Sequence, residues 1–451
     1  MKIRLSLIVF FVSLFQISVF SQVFSGTIDG FTGKVFLQKV NGEKYKTIDS
    51  ITCSGSSFSY EYSPKVSEPG VFRLYIDRNK YADFVLDNEN VSFKTSLNSP
   101  FDSMNIIDSD NNKLYYQFLK INKLYKTKSE LLWLILTRYP KEDDYFKTTK
   151  ETLNQLQTDY ITFVNRTSQQ NPKSFIARYI RSGQLPVIDS ELPYKDHLDF
   201  LKSHALDLVN FNDFSLINSN VFSNKSIEYL TYFRNPQLPI ELLEKEFRGA
   251  IDSILNKAKI NSVVYKHVAE YLIDGFKQFG FHNVVDYILN NYVIKDDICL
   301  DAQLENSIQK RIDQAKQLQI NFPAPNVILP DNKGKVVDIS KINKMKLLIF
   351  YSTECPHCGE MLPQIYNLYK NSKNSNIEVI AVSLDTNKDE WTKFIKDKGL
   401  NWINLSDLKG WNSKSASDYF IYATPTMFLL DSNLKIVAKP MEISEVSKYF
   451  N

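Results

Sequence analysis

Leu347-Leu348-Ile349-Phe350-Tyr351-Ser352-Thr353-Glu354-Cys355-Pro356-His357-Cys358 carries an apolar run into two cysteines three positions apart. Five successive apolar side chains read as a strand buried on both faces. Beyond the cysteines the pattern turns helical. A helix N-terminus carries unpaired N–H groups and a partial positive charge. A thiol placed there loses its proton more readily, and the thiolate is the species that attacks disulfides. A second cysteine one turn on can close on the first and release the attacked partner, which is reversible thiol–disulfide exchange.

Two plainer readings stand beside it. Structural zinc needs four ligands, usually a second Cys-x-x-Cys or a histidine pair. Cys53 and Cys299 are isolated in sequence, and His197, His204, His267 and His282 show no short ligand spacing, so no metal is expected. The other reading is a purely structural disulfide, although a bridge closing so short a loop constrains the unfolded chain least.

The flanks order the elements. Phe322-Pro323-Ala324-Pro325-Asn326-Val327 precedes Asp331-Asn332-Lys333-Gly334-Lys335-Val336-Val337, a strand–turn–strand pattern with Gly at the turn. The helix after Cys358 runs to about Lys370 and contains Pro363, which is expected to kink it. An apolar, β-branched run, Ile377–Leu384, predicts a strand, and a helix follows around Glu390–Lys398. Thr424-Pro425-Thr426-Met427-Phe428-Leu429-Leu430-Asp431 opens a further strand, with Leu434–Lys439 returning as a hairpin across Ser432-Asn433.

This order resembles the thioredoxin superfamily, in particular its TlpA/ResA-like (redoxin, AhpC/TSA-type) branch of secreted thiol–disulfide oxidoreductases. The resemblance covers residues 322–451 and rests on Cys355 and Cys358, on Pro363, and on Ala423-Thr424-Pro425-Thr426. It implies an α/β thioredoxin-like fold with a cis Thr424–Pro425 bond facing the cysteine pair, so that Thr424 can offer its N–H and C=O to a substrate segment as an added strand. Pro-His between the cysteines is the dipeptide of DsbA-like oxidases, but Gly359–Thr424 is too short for their helical insertion. Peroxiredoxins place Pro and Thr where this chain has Leu348 and Ser352.

Cys355, first on the helix, is the expected nucleophile and Cys358 the resolving thiol. Pro356 suits the first helical turn, where its missing N–H costs nothing. An imidazole N–H from His357 would stabilise a neighbouring thiolate and make the disulfide more oxidising; a solvated helix residue is the plainer reading. Thr424 and Pro425 complete the expected site. Three positions depart from the family pattern. Ile349 stands where thioredoxin has a buried Asp. Met361 stands where the branch often has a Glu, with Glu360 one place earlier and so turned by about 100° on the helix. Glu354 replaces a frequent Trp, and a carboxylate there opposes thiolate formation. The proton acceptor for Cys358 is left without a candidate.

The rest of the 451-residue chain bounds less. A basic start, Met1-Lys2-Ile3-Arg4, leads into the apolar stretch Leu5–Phe20 and then small Ser21, so residues 1–21 are expected to be a cleaved signal peptide, with an uncleaved anchor as the alternative. Residues 22–100 alternate as strands at Val35–Leu37, Phe58–Tyr62, Val71–Ile76, Phe84–Leu86 and Val91–Phe93, resembling the small β-sandwich of unknown function that often precedes the redoxin domain. Residues 105–319 show helical spacing, as in Leu114, Phe118, Ile121, Tyr125 and in Leu243, Phe247, Ala250, Ile254, and are expected to form an α-helical middle domain. Cys53 and Cys299 are most simply buried small hydrophobes, with a bridge between them left open. A net charge of +3 gives no argument for nucleic acid.

The expected protein is therefore multidomain and extracytoplasmic, a thiol–disulfide oxidoreductase acting on protein thiols and disulfides with no cofactor. Branch membership implies reduction fed by a membrane electron donor, whereas Pro-His pulls toward oxidation. A disulfide oxidase or isomerase, and an envelope binding or scaffold protein whose thioredoxin-like domain contributes shape, are the rivals.

Overall fold

The computed structural model describes residues 22–62, 68–77, 80–296, 298, 300, 306–372, 374 and 376–450. The expected signal peptide and Cys299 lie outside the described residues. The chain divides into two units between Val284 and Val285.

The first unit begins with eight strands, β1 (Gln22–Asp29), β2 (Gly33–Asn41), β3 (Lys44–Cys53), β4 (Ser57–Tyr62), β5 (Gly70–Asp77), β6 (Lys80–Leu86), β7 (Val91–Ser96) and β8 (Asn105–Asp108). They form two four-stranded sheets, in the orders β4-β1-β7-β8 and β3-β2-β5-β6. Alternate side chains turn inward, and aromatic rings fill the space between the sheets. Phe24 and Phe93 of one sheet meet Phe84 of the other with centroids 5.1 and 4.4 Å away. All five strand runs expected from the sequence fall in these strands. The strands β1, β3 and β8 were not among them; of the ten residues of β3 only Ile51 and Cys53 are buried. A polar strand at a sheet edge shows no apolar alternation to read. Cys53 is a free thiol here, and burial pushes its pKa up.

Two polar devices hold this unit together. Arg73 and Asp83 face each other across β5 and β6 and bond through two nitrogens at 2.8 and 2.9 Å. The guanidinium lies between the rings of Tyr45 and Tyr81, 4.1 and 3.5 Å from their centroids. Asn112 is fully buried; its Oδ1 accepts from the Val85 N–H at 2.8 Å and its Nδ2 donates to the Val85 carbonyl at 2.7 Å.

Asn112 belongs to α1 (Asp110–Arg138), whose first turn is capped by the Ser109 hydroxyl. The helices α2 (Asp144–Gln170), α3 (Phe175–Gly183), α4 (His197–His204), α5 (Val221–Thr231), α6 (Ile240–Ala258), α7 (Ser262–Gln278) and α8 (His282–Ile288) follow. The expected stripes lie on α1, where Phe118 and Tyr125 are buried, and on α6, where Phe247, Ala250 and Ile254 are. Asn171, the residue before Pro172, caps the end of α2. On α7, burial and then the nearby Lys44 push the His267 imidazole down to about 4.

The second unit includes α9 (Asn306–Gln317) and a hairpin of β9 (Ile328–Pro330) and β10 (Val336–Asp338) with Gly334 at φ 88° in its turn. Then come β11 (Met345–Tyr351), α10 (Pro356–Asn371), β12 (Ile377–Ser383), α11 (Lys388–Asp397), β13 (Ile403–Leu405), α12 (Lys414–Asp418), β14 (Thr426–Leu430), β15 (Ile436–Ala438) and α13 (Ile443–Ser447). The sheet order is β13-β12-β11-β14-β15, with β11 parallel to β12 and antiparallel to β14. The central strand alternates between two cores. Leu348 and Phe350 pack with Ile380, Val382 and Phe428 on one face. Leu347, Ile349 and Tyr351 pack with Val379, Met427 and Leu429 on the other.

At the start of β11, Lys346 is fully buried. Its ammonium donates to the carbonyls of Lys344, Asp431 and Ser432 at 2.9, 3.2 and 3.1 Å, which satisfies its three protons. The far end of β11 delivers the cysteine motif.

Candidate active site

At the carboxyl end of β11 the chain leaves the sheet through Ser352, Thr353 and Glu354 and enters α10 with Cys355 as its N-cap and Pro356 in the first turn. The Gly359 N–H bonds the Cys355 carbonyl at 3.1 Å, the helix's first backbone bond. The helix continues through Pro363 to Asn371. Cys355 is half-buried and Cys358 fully buried, and both are free thiols. The placement follows from helix geometry: the N-cap side chain faces outward while the residue three positions on turns under the helix into the core.

The strand β14 pairs with β11 so that Phe350 lies opposite Thr426. This register sets the residues just before β14 beside the helix tip. The Thr424–Pro425 bond is cis, as the family resemblance implies. The Cys355 thiol donates to the Thr424 carbonyl at 3.2 Å. The expected six residues therefore gather at one place: Cys355, Pro356, His357 and Cys358 at the helix tip, Thr424 and Pro425 across from them. His357 and Glu354 are exposed.

The two sulfurs differ electrostatically. Burial opposes ionisation of Cys355, but hydrogen bonds from the Thr424 side chain, from the Cys358 thiol and from the N–H groups of Cys358 and His357 outweigh it and hold the thiol below the usual cysteine range. Cys358 is pushed up to about 12, mainly by burial and further by the neighbouring Cys355; an N–H from Ser352 works the other way. One thiol is thus ready to ionise and the other stays protonated.

The one carboxylate weighed near Cys358 in the sequence, Glu360, does not turn toward it. Glu360 is exposed, and Met361 packs against the apolar cluster that also holds Cys358. The carboxylate that does reach the motif is Asp385, buried just beyond β12. Its Oδ1 accepts from the Ser352 hydroxyl at 3.0 Å, the Thr353 N–H at 2.9 Å and the Thr353 hydroxyl at 2.9 Å. Its Oδ2 accepts from the Ser383 hydroxyl at 2.6 Å. Sequence reasoning missed it; the one available signal was its position at the carboxyl end of a buried parallel strand, where sites of α/β sheets collect. Next to it, the buried Trp391 donates its indole N–H to the Tyr351 hydroxyl at 2.9 Å.

The Thr-Pro segment is braced from the other side. The Arg311 guanidinium of α9 lies 4.5 Å from the centroid of the Tyr422 ring and donates to Asp286 at 3.1 Å. Gln314 donates to the Tyr419 carbonyl at 2.9 Å. Among the described residues there is no group of three or more His, Cys, Asp or Glu side chains that could hold a metal ion, and no helix long and apolar enough to cross a membrane.

A half-exposed thiol of lowered pKa, a buried one of raised pKa and a cis proline beside them on this sheet define a thioredoxin-like exchange site. Residues 320–439 match the AhpC/TSA family, and residues 23–115 match a domain of unknown function, DUF4369. The thiol-disulfide oxidoreductase ResA of Bacillus cereus is 30% identical over 125 residues, which is 28% of this chain and 70% of the relative. Sporulation thiol-disulfide oxidoreductase A of Bacillus subtilis is 28% identical over 27% of this chain and 74% of its own. A solved thiol-disulfide oxidoreductase from Bacteroides fragilis is 30% identical over 28% of this chain and 97% of its own, with a TM-score of 0.26. The chain belongs to the ResA-like, AhpC/TSA-type thiol–disulfide oxidoreductases of the thioredoxin superfamily.

Proposed function

We propose that this protein reduces disulfides of partner proteins outside the cytoplasm, with Cys355 as nucleophile and Cys358 as resolving thiol. The observation that carries the reading is the contrast between the two sulfurs, one half-exposed with lowered pKa and one buried and raised to about 12. The Cys355 thiolate attacks one sulfur of the partner's disulfide. That S–S bond breaks, a mixed disulfide forms, and the partner's other sulfur leaves as a thiolate. Cys358 gives up its proton and attacks the Cys355 sulfur, which releases the partner's second thiolate. Two electrons have passed to the partner, whose thiolates take up two protons, and Cys355–Cys358 is left as a disulfide for a membrane electron donor to reduce.

Thr424 supplies the substrate edge in this reading, with its backbone beside Cys355 across the cis bond. Pro356 starts the helix and His357 faces the incoming partner. One feature supports the reducing direction: Cys358 resists ionisation, which disfavours the thiolate form that would stabilise the reduced couple. The basic-then-apolar opening, residues 1–21, supports export.

Trapping tests the roles. Cys358→Ser is expected to accumulate a mixed disulfide with partner proteins and Cys355→Ser to accumulate none; the opposite pattern reverses the assignment. Acid-quenching cells and alkylating the protein tests direction: the pair is expected mainly as thiols, and a mainly oxidised pair would make the protein an oxidase.

A further inference from the structure

The mechanism above uses both sulfurs and the Thr-Pro segment, yet the side chain that bonds the turn just before the cysteines belongs to none of these. Asp385 lies beyond the end of β12, thirty positions after Cys355 in sequence, and is buried. Three of its four side-chain contacts go to the two residues that link β11 to the active-site turn: the Ser352 hydroxyl, the Thr353 N–H and the Thr353 hydroxyl. The fourth, from Ser383, holds the carboxyl group itself in orientation. In every contact an Asp385 oxygen accepts, the role an ionised carboxylate fills. Ser352 connects this network to both cysteines. Its carbonyl accepts the Cys355 N–H at 3.2 Å, and its N–H donates to the Cys358 sulfur.

We propose that Asp385 is a positioning residue for disulfide exchange: its carboxylate fixes the Ser352–Thr353 turn that presents both sulfurs, and its charge disfavours the thiolate form and keeps the couple reducing. The inference rests on Cys355 and Cys358 being the exchanging pair. The physical grounds are two. A turn leaving a strand has no ladder of its own, so the side-chain oxygens that receive its donors decide where it points. A carboxylate shielded from water opposes a further negative charge nearby more strongly than an exposed one does, and Asp385 bonds the turn that ends two residues before Cys355.

The test uses the full chain and two variants. Asp385→Asn keeps the shape and an accepting oxygen but removes the charge. Asp385→Ala removes both. The readout is the equilibrium constant of the dithiol–disulfide pair against glutathione at about pH 8, where thiolate content sets the balance. Both variants are expected to shift it toward the thiols by about threefold or more, and Asp385→Ala to slow insulin reduction by about tenfold through misplaced sulfurs. Either variant decides the matter if the other does not fold. A shift smaller than about threefold overturns the inference whatever happens to the melting temperature, because a carboxylate that only braced the fold would move the melting temperature and leave the equilibrium alone. If the unsubstituted protein shows no dithiol–disulfide equilibrium, the exchange reading itself falls and takes this inference with it.

Discussion

The sandwich-and-helix unit and the sheet unit both bury polar chemistry, and they complete it differently. In the first, Arg73 spends its donors on Asp83 across one strand pair while two tyrosine rings cover it. Asn112 closes both backbone groups of Val85. These are finished networks: nothing in them gains from ionising or exchanging a bond. In the second, Cys355 is supplied with donors that favour its charged form and is left half-open to solvent. A satisfied group stabilises, whereas a group held ready to change its state reacts. Reactivity here comes from leaving one sulfur unfinished beside a completed framework.

The sharpest way to break this contrast is alkylation of the reduced protein at neutral pH. Iodoacetamide should modify Cys355 faster than Cys358 by about a thousandfold or more, given a lowered pKa on one and about 12 on the other. Cys53, buried with a raised pKa, should also react more slowly than Cys355. Peptide mass mapping of the labelled sites reads the difference, and similar rates at both motif cysteines would erase it.

His267 offers the next largest effect, in the unit without a proposed site. Its folded pKa of about 4 lies below the unfolded value of about 6.5, so as pH falls the unfolded chain takes the proton first. The stability tied to the neutral ring is complete above about pH 6.5 and is lost progressively down to about 4, by up to about 3 kcal/mol. Urea titrations of the first unit's unfolding transition across that window should show the slope in wild type and a flatter line in His267→Phe. A flat wild-type line would mean that the ring is not desolvated as described.

The smallest effect sharpens the comparison. Asn112→Ala leaves the N–H and C=O of Val85 buried without their partners and should cost about 2 kcal/mol of the first unit's stability. The glutathione equilibrium of Cys355–Cys358 should not move. A shift in that equilibrium would show that the finished and unfinished regions are not independent.

Much of the redox unit was legible because its signals are local. The five-residue run to Tyr351, the cysteine spacing, Pro363 and Ala423-Thr424-Pro425-Thr426 each declare themselves within a few residues, and helix and turn chemistry act at that range. Asp385 was not legible, because its role exists only once β12 pairs in parallel with β11 and the two strand ends come together. The same holds for Trp391, forty positions from the Tyr351 hydroxyl it serves. In the first unit, five alternating runs could be read, whereas the exposed edge strand β3 could not, since water imposes no alternation on a strand it surrounds. The failed search for a carboxylate near Cys358 followed from looking along the helix, at Glu360 and Met361, when the acid that reaches the motif comes from the neighbouring strand.

Lys346 has a consequence that lies at the opposite end of β11 from the chemistry. Its ammonium is riveted to three carbonyls, two of them in the hairpin turn that follows β14. Sliding β11 by one residue would strand that cation among apolar atoms and exchange every side chain between the two cores. The rivet therefore acts as a ruler for the motif: by forbidding slippage at Met345, it determines where, seven residues later, the chain must leave the sheet and how far Cys355 stands from Thr424.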